Sequence, residues 1–129
     1  MNDKKLIGRW GEALAADYLR KKRYKILGMG YSTRFGEVDV IAEKDGVVAF
    51  VEVKTRKDAT HGEAREFVTK SKQRRVIAAA SMWCAQYGED RQPRFDVVEI
   101  YAPDGVETKA PTLHYIENAF GVNDEYSAF

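Results

Sequence analysis

Apolar and polar positions alternate most clearly between Gly36 and Arg56, in the run GEVDVIAEKDGVVAFVEVKTR. Val38, Val40 and Ala42 alternate with Glu37, Asp39, Ile41 and Glu43; Val47, Ala49, Val51 and Val53 alternate with Val48, Phe50, Glu52 and Lys54. A period of two is that of a strand. The Asp45-Gly46 pair between the two runs supplies the positive φ values of a two-residue type I′ turn, so the pattern predicts a β-hairpin. Upstream, Leu6, Ile7, Trp10, Leu14 and Tyr18 recur at spacings of three and four and predict a helix from about Asp3, a candidate N-cap, to near Lys22. A strand loosened by Gly28 and Gly30 follows over 24–31. Downstream, Val76, Ala79, Ala80, Trp83 and Tyr87 mark a helix over 71–87, with Lys72 and Gln73 extending its inward side into the first turn. Residues 95–101 alternate as a strand, and 113–116 form a short last one. Helix, three strands, helix and two strands fit an α/β sandwich with a mixed central sheet flanked by helices.

Closing the hairpin on Asp45 and Gly46 pairs Lys44 with Val47, and continuing that register sets Asp39 opposite Glu52 and Glu37 opposite Lys54. Two carboxylates about 5 Å apart repel by about 3 kcal/mol at an effective dielectric near 20. A hard divalent cation such as magnesium between them reverses that sign, and Lys54 would stand one side chain further along the same face. A bulge or an odd-length loop would instead slip the register and separate the pair.

The remaining composition narrows the setting. At 129 residues, with 44% hydrophobic and 32% charged positions, the chain is expected to form one domain, its core over about 3–120 and a flexible tail over 121–129. The opening MNDKKLIGRWGEA has no signal-peptide apolar region and no window resembles a membrane span, so a cytoplasmic protein is expected. Cys84 is the lone cysteine, which excludes an intrachain disulfide, and His61 and His114 have no evident partners for a triad or a metal cluster. Asp96 reads as structural. Net charge is only +1, but residues 1–25 carry eight Lys or Arg against three acids, and residues 54–75 repeat that ratio. A one-sided basic surface suited to nucleic acid follows from this, unless the basic helix ends are merely solvated. Glu12 sits among Gly8, Ala15 and Ala16, which suggests close approach to another element; on the residues alone it is a surface acid or a site carboxylate, and Lys72 a surface lysine or a phosphate contact.

Asp39 followed by Glu52-Val53-Lys54 resembles the bipartite PD-(D/E)XK motif of restriction-endonuclease-like nucleases, with Val38 in place of the proline. More narrowly, GEVDVIA and FVEVKTR, with Gly11-Glu12, Gly62, Lys72, Arg94-Phe95-Asp96-Val97-Val98 and Asn118-Ala119-Phe120, resemble the YraN family of small bacterial proteins, similar to archaeal Holliday junction resolvases. The resemblance covers roughly residues 8 to 120 and departs at Gly30 and Ser32, where the family often has asparagine and a basic residue. It implies a restriction-endonuclease-like α/β/α sandwich and metal-dependent cleavage of DNA, including branched or junction DNA. Asp39, Glu52, the Val53 carbonyl and Glu12 would then hold magnesium or manganese, and Lys54 would orient water or stabilise the transition state. Lys72, Arg56, Arg74, Arg75 and the cluster Arg20, Lys21, Lys22, Arg23 would hold flanking phosphates. Symmetric cutting of two strands would favour a homodimer. The rival expectations are a nucleic-acid-binding module that does not cut, and a protein-interaction subunit using Tyr126 to Phe129.

Overall fold

Asp45 and Gly46 adopt φ of 51° and 80°, the two positive values a type I′ turn needs. In the computed structural model, which describes residues 3–57 and 68–121, β2 (Gly36–Lys44) and β3 (Val47–Arg56) therefore close into the predicted hairpin. The strand β1 (Lys25–Thr33) pairs antiparallel with β2. On the other side β4 (Pro93–Tyr101) runs parallel to β3, and β5 (Thr112–Phe120) lies antiparallel to β4. The result is one mixed five-stranded sheet in sequence order.

Parallel strands need a long crossover, and between β3 and β4 it contains the helix α2 (Lys70–Tyr87). The Thr69 hydroxyl caps its start by accepting the Lys72 N–H at 3.1 Å, and Gly88, left-handed at φ 64°, ends it. Val76, Ala79, Ala80 and Trp83 pack on Val38, Ile41, Val48, Phe50, Phe95 and Val97. The opposite face carries the helix α1 (Asp3–Lys21), whose Ala15 and Leu19 pack with Val40, Ala42, Ala49, Val51, Val98 and Ile100. One helix on each face makes the α/β sandwich that the element order implied.

Three expectations are corrected. The most buried line of α1 is Gly11, Ala15, Ala16 and Leu19, while Leu6 is exposed and Trp10, Leu14 and Tyr18 are only half-buried. Asp17 is exposed and paired with Arg20 at 3.2 Å. Tyr87 is exposed and rests against the Trp83 ring instead of entering the core. The last strand is nine residues long, not four. No helix among the described residues is long and apolar enough to cross a membrane. Expectations for His61, Gly62, the tail from 122 to 129 and the capping side chain of Asp3 lie outside the described residues.

Candidate active site

The hairpin keeps its predicted register as far as Val40 and Val51, and its ladder ends there. Val38 packs on the α2 side of the sheet and Val40 on the α1 side, although they are two apart. A regular strand would put both on one face, so the alternation slips at Asp39. The Asp39 side chain turns toward β3, and its Oδ2 accepts the Val53 N–H at 2.8 Å, standing in for a ladder carbonyl. The expected cross-strand pairing of Asp39 with Glu52 is thus replaced by a split in the sheet. The two side chains nevertheless line one pocket, and Asp39 is close enough to help raise the Glu52 carboxyl.

An open pocket of about 510 Å³ forms at this split, and Glu12, Asp39, Glu52, Val53, Lys54 and Lys72 all line it. Glu12 arrives from α1 because that helix lies unusually close to β3. A Cβ placed on Gly11 would stand 2.5 Å from Thr55 Oγ1, so a glycine is what lets the helix approach. Lys72 arrives from the first turn of α2, its Nζ 3.3 Å from Glu52 Oε2 and 3.7 Å from Glu37 Oε1. Lys72 is therefore the lysine that meets the buried acid, whereas sequence reasoning gave Lys54 the central place. Glu37 and Lys4 also line the pocket and were missed. Lys4, Gly8 and Glu12 recur every four residues, a helical-face signal that could have found the lysine.

The pocket is electrostatically strained. Glu52 is 2% exposed, and its buried Oε2 has an ion pair to Lys72 but no hydrogen bond. Burial first, and then Asp39, push the Glu52 carboxyl well above the usual range against the pull of Lys72. Glu12 is raised to about 7 by burial and by the charges of Asp39 and Glu37, with Arg9 opposing. Burial would lower Lys72, but Glu52, Asp39 and Glu37 outweigh it and raise its affinity for a proton.

Among the described residues no three His, Cys, Asp or Glu side chains form a ready-made metal cage. Magnesium, however, is commonly held by one or two carboxylates and keeps several waters. Asp39 and Glu52 fit that donor set, and the buried Glu52 Oε2 without a hydrogen bond has lone pairs to give. A strand residue directs its amide and carbonyl to the same side, so the Val53 carbonyl faces the gap its amide faces.

The basic residues divide. Arg74 and Arg75 are exposed on α2 beside Lys72, whereas Arg20, Lys21, Lys22 and Arg23 are exposed at the far end of α1. At 1.5 Å per residue the nearer end of that cluster is about 12 Å along the helix from Glu12. Arg56 does not line the pocket; its Nη1 lies 2.6 Å from Oε2 of the fully buried Glu99, and its guanidinium lies over the Tyr101 ring. A buried carboxylate needs a cation, so Arg56 neutralises Glu99 within the fold, beside the phosphate contact expected of it.

A family model described as "Uncharacterised protein family UPF0102" matches residues 11–100, which include Glu12, Asp39, Glu52, Lys54 and Lys72. A UPF0102 protein of Syntrophotalea carbinolica is 45% identical over 95 residues, covering 73% of this chain and 77% of its own. Another, of Alkaliphilus metalliredigens, is 42% identical over 117 residues, or 90% of this chain and 98% of its own. A third, of Symbiobacterium thermophilum, is 45% identical over 116 residues, or 88% and 95%.

Proposed function

The chain belongs to the uncharacterised protein family UPF0102, and from that footing we propose that its split-sheet pocket hydrolyses DNA phosphodiesters with the help of a divalent metal. The resemblance of Asp39 and Glu52-Val53-Lys54 to the PD-(D/E)XK nucleases supports this reading. The observation that carries it is buried Glu52, with only Lys72 at 3.3 Å for a cation, lining one open pocket together with Asp39 and Glu12. A fold gains no stability by setting half-buried Asp39 beside buried Glu52 with one lysine for partner, because a buried charge that is incompletely compensated costs several kcal/mol, roughly speaking.

Asp39, Glu52 and the Val53 carbonyl would hold magnesium or manganese, with Glu12 reaching it directly or through water. When bound, the metal supplies Lewis acidity toward the phosphoryl oxygens and lowers the pKa of water. The chain's own groups do the rest. Asp39 is fixed by the Val53 amide, which leaves its other oxygen to face the pocket. Lys54 offers a cation to the charge that builds on the phosphoryl oxygens. Lys72, with Arg74 and Arg75 beside it, positions the strand through phosphates, contacts that carry no sequence information.

One observation favours a second reading, that of a binding module that does not cut: the Lys72 ammonium already stands 3.3 Å from Glu52. Incubating the protein with linear, gapped and branched DNA in magnesium and in manganese separates the two. Cleavage that disappears in Asp39→Asn and Glu52→Gln supports hydrolysis; binding without cleavage in either metal supports the module; cleavage retained in both variants removes the pocket from consideration. If five or so phosphates are contacted, log affinity should fall against log salt with a slope of about −4 to −5, flattening by about 0.9 for each cation removed.

A further inference from the structure

We propose that Phe35, at the tip of the turn between β1 and β2, is a base-stacking platform that takes the face of an unpaired DNA base within a few nucleotides of a phosphate held in the pocket. The proposal rests on the nucleic-acid reading of that pocket and adds a contact that none of its acids or lysines provides.

The turn is built to hold its tip still. The Thr33 hydroxyl accepts the N–H groups of Phe35 at 3.0 Å and Gly36 at 3.1 Å and donates to the Gly36 carbonyl at 3.0 Å. Gly36 is seated on α2, where a Cβ would come within 2.0 Å of the Arg75 carbonyl oxygen. Helix α2 therefore backs the turn at Arg75, the last of the cations in its first two turns. On this anchored base Phe35 is 52% exposed, the Arg34 guanidinium lying 4.9 Å from its ring centroid. An aromatic ring turned outward from a rigid turn contributes little to the core, and single exposed apolar side chains are common enough to mean nothing alone. Its position supplies the meaning.

Phe35 is two residues from Glu37 and four from Asp39, both of which line the pocket. Four residues of extended chain span at most about 14 Å. Duplex DNA rises about 3.4 Å per step along each strand, so the Phe35 backbone lies within about four steps of Asp39 in the pocket lining. Arg34 lies over the ring, the Arg75 backbone lies against Gly36, and Lys72 and Arg74 belong to the same end of α2. Cations that track phosphates beside an aromatic ring are the recurring elements of sequence-tolerant single-strand contacts, since every base has a π-face to offer. Entry between paired bases must first break a stack. Phe35 should therefore reward DNA in which a base is already free.

The test uses the full chain with EDTA, so that no cleavage intrudes, and two DNAs: a continuous duplex and the same duplex with one unpaired 2-aminopurine. Wild type is expected to bind the second more tightly and to quench its fluorescence. Phe35→Ala should lose between about 5- and 100-fold on that DNA, the loss that one base–aromatic stack represents, and less than about twofold on continuous duplex. Phe35→Trp should restore both affinity and quenching, and the urea midpoints of all three should agree, since the residue is exposed. Equal weakening on both DNAs, or an unchanged preference in Phe35→Ala, overturns the proposal. If wild type binds neither DNA at low salt, the proposal and the nucleic-acid reading fall together. If the Phe35-dependent preference appears but no DNA is cut in magnesium or manganese, only the hydrolytic reading falls.

Discussion

Glu52 on β3 and Asp96 on β4 are both buried acids on adjoining central strands, yet the protein treats them in opposite ways. Asp96 receives Arg94 Nε at 2.9 Å and Nη2 at 2.8 Å, the Tyr115 hydroxyl at 2.6 Å and the Asn118 N–H at 2.8 Å. It is the fully satisfied centre of a network that also ties Arg94 to the Tyr24 hydroxyl. Glu52 has Lys72 at 3.3 Å, an oxygen with no hydrogen bond, and another acid as its neighbour. A buried charge that the fold completes is structure; one that the fold leaves incomplete beside an open pocket is available for chemistry.

Breaking the satisfied acid should have the larger effect on folding. Asp96→Ala leaves the Arg94 cation and the Tyr115 hydroxyl without their partner and should cost about 3–5 kcal/mol in urea unfolding, as loss of one member of a buried pair does. Glu52→Gln keeps the shape and trades the repulsion from Asp39 against the Lys72 ion pair, so without metal it should change stability by no more than about 1 kcal/mol. A loss as large as that of Asp96→Ala would show that Glu52 is structural too.

The smallest effect is in the pH dependence of the metal-free protein. Glu12 and Glu52 hold protons more tightly when folded than at the ordinary carboxylate value of 4.5, and Glu12 does so up to about 7. Between those values the folded state carries the extra proton, so stability falls as pH rises through that window. Glu12→Gln should flatten the fall in urea midpoint between pH 4.5 and 7.

The same contrast marks where the sequence was legible. Asp45-Gly46 and the alternation around it specified the register through Val40 and Val51, because turn chemistry and a two-residue period are local. The slip at Asp39 was not local: it depends on a side chain reaching the Val53 amide on the next strand. Helix α1 was read by hydropathy, which marked Leu6, Trp10, Leu14 and Tyr18, but the face that meets the sheet is chosen by how closely the backbone can approach. Gly11, Ala15 and Ala16 allow that approach, and the small residues around Glu12 were its signal. Arg56 looked like its basic neighbours because nothing in its own strand announces the buried Glu99 beside it. The last strand looked short because β5 is an edge strand with exposed Thr112, His114, Glu117 and Asn118 among its apolar positions. Asp96, by contrast, reads as structural, and its hydrogen bonds to Arg94, Tyr115 and Asn118 fit that reading.

Titrating magnesium and manganese calorimetrically into wild type, Asp39→Asn, Glu52→Gln and Asn118→Ala at pH 7.5 asks directly whether the incomplete acid is a metal ligand. Wild type and Asn118→Ala should bind one divalent ion with similar affinity. Wild-type stability should then rise by about 2.7 kcal/mol at one hundred times the dissociation constant, and the two acid variants should bind at least tenfold more weakly. Binding of equal strength in Glu52→Gln, or no binding in wild type, would contradict the assignment of Asp39 and Glu52 as a metal site.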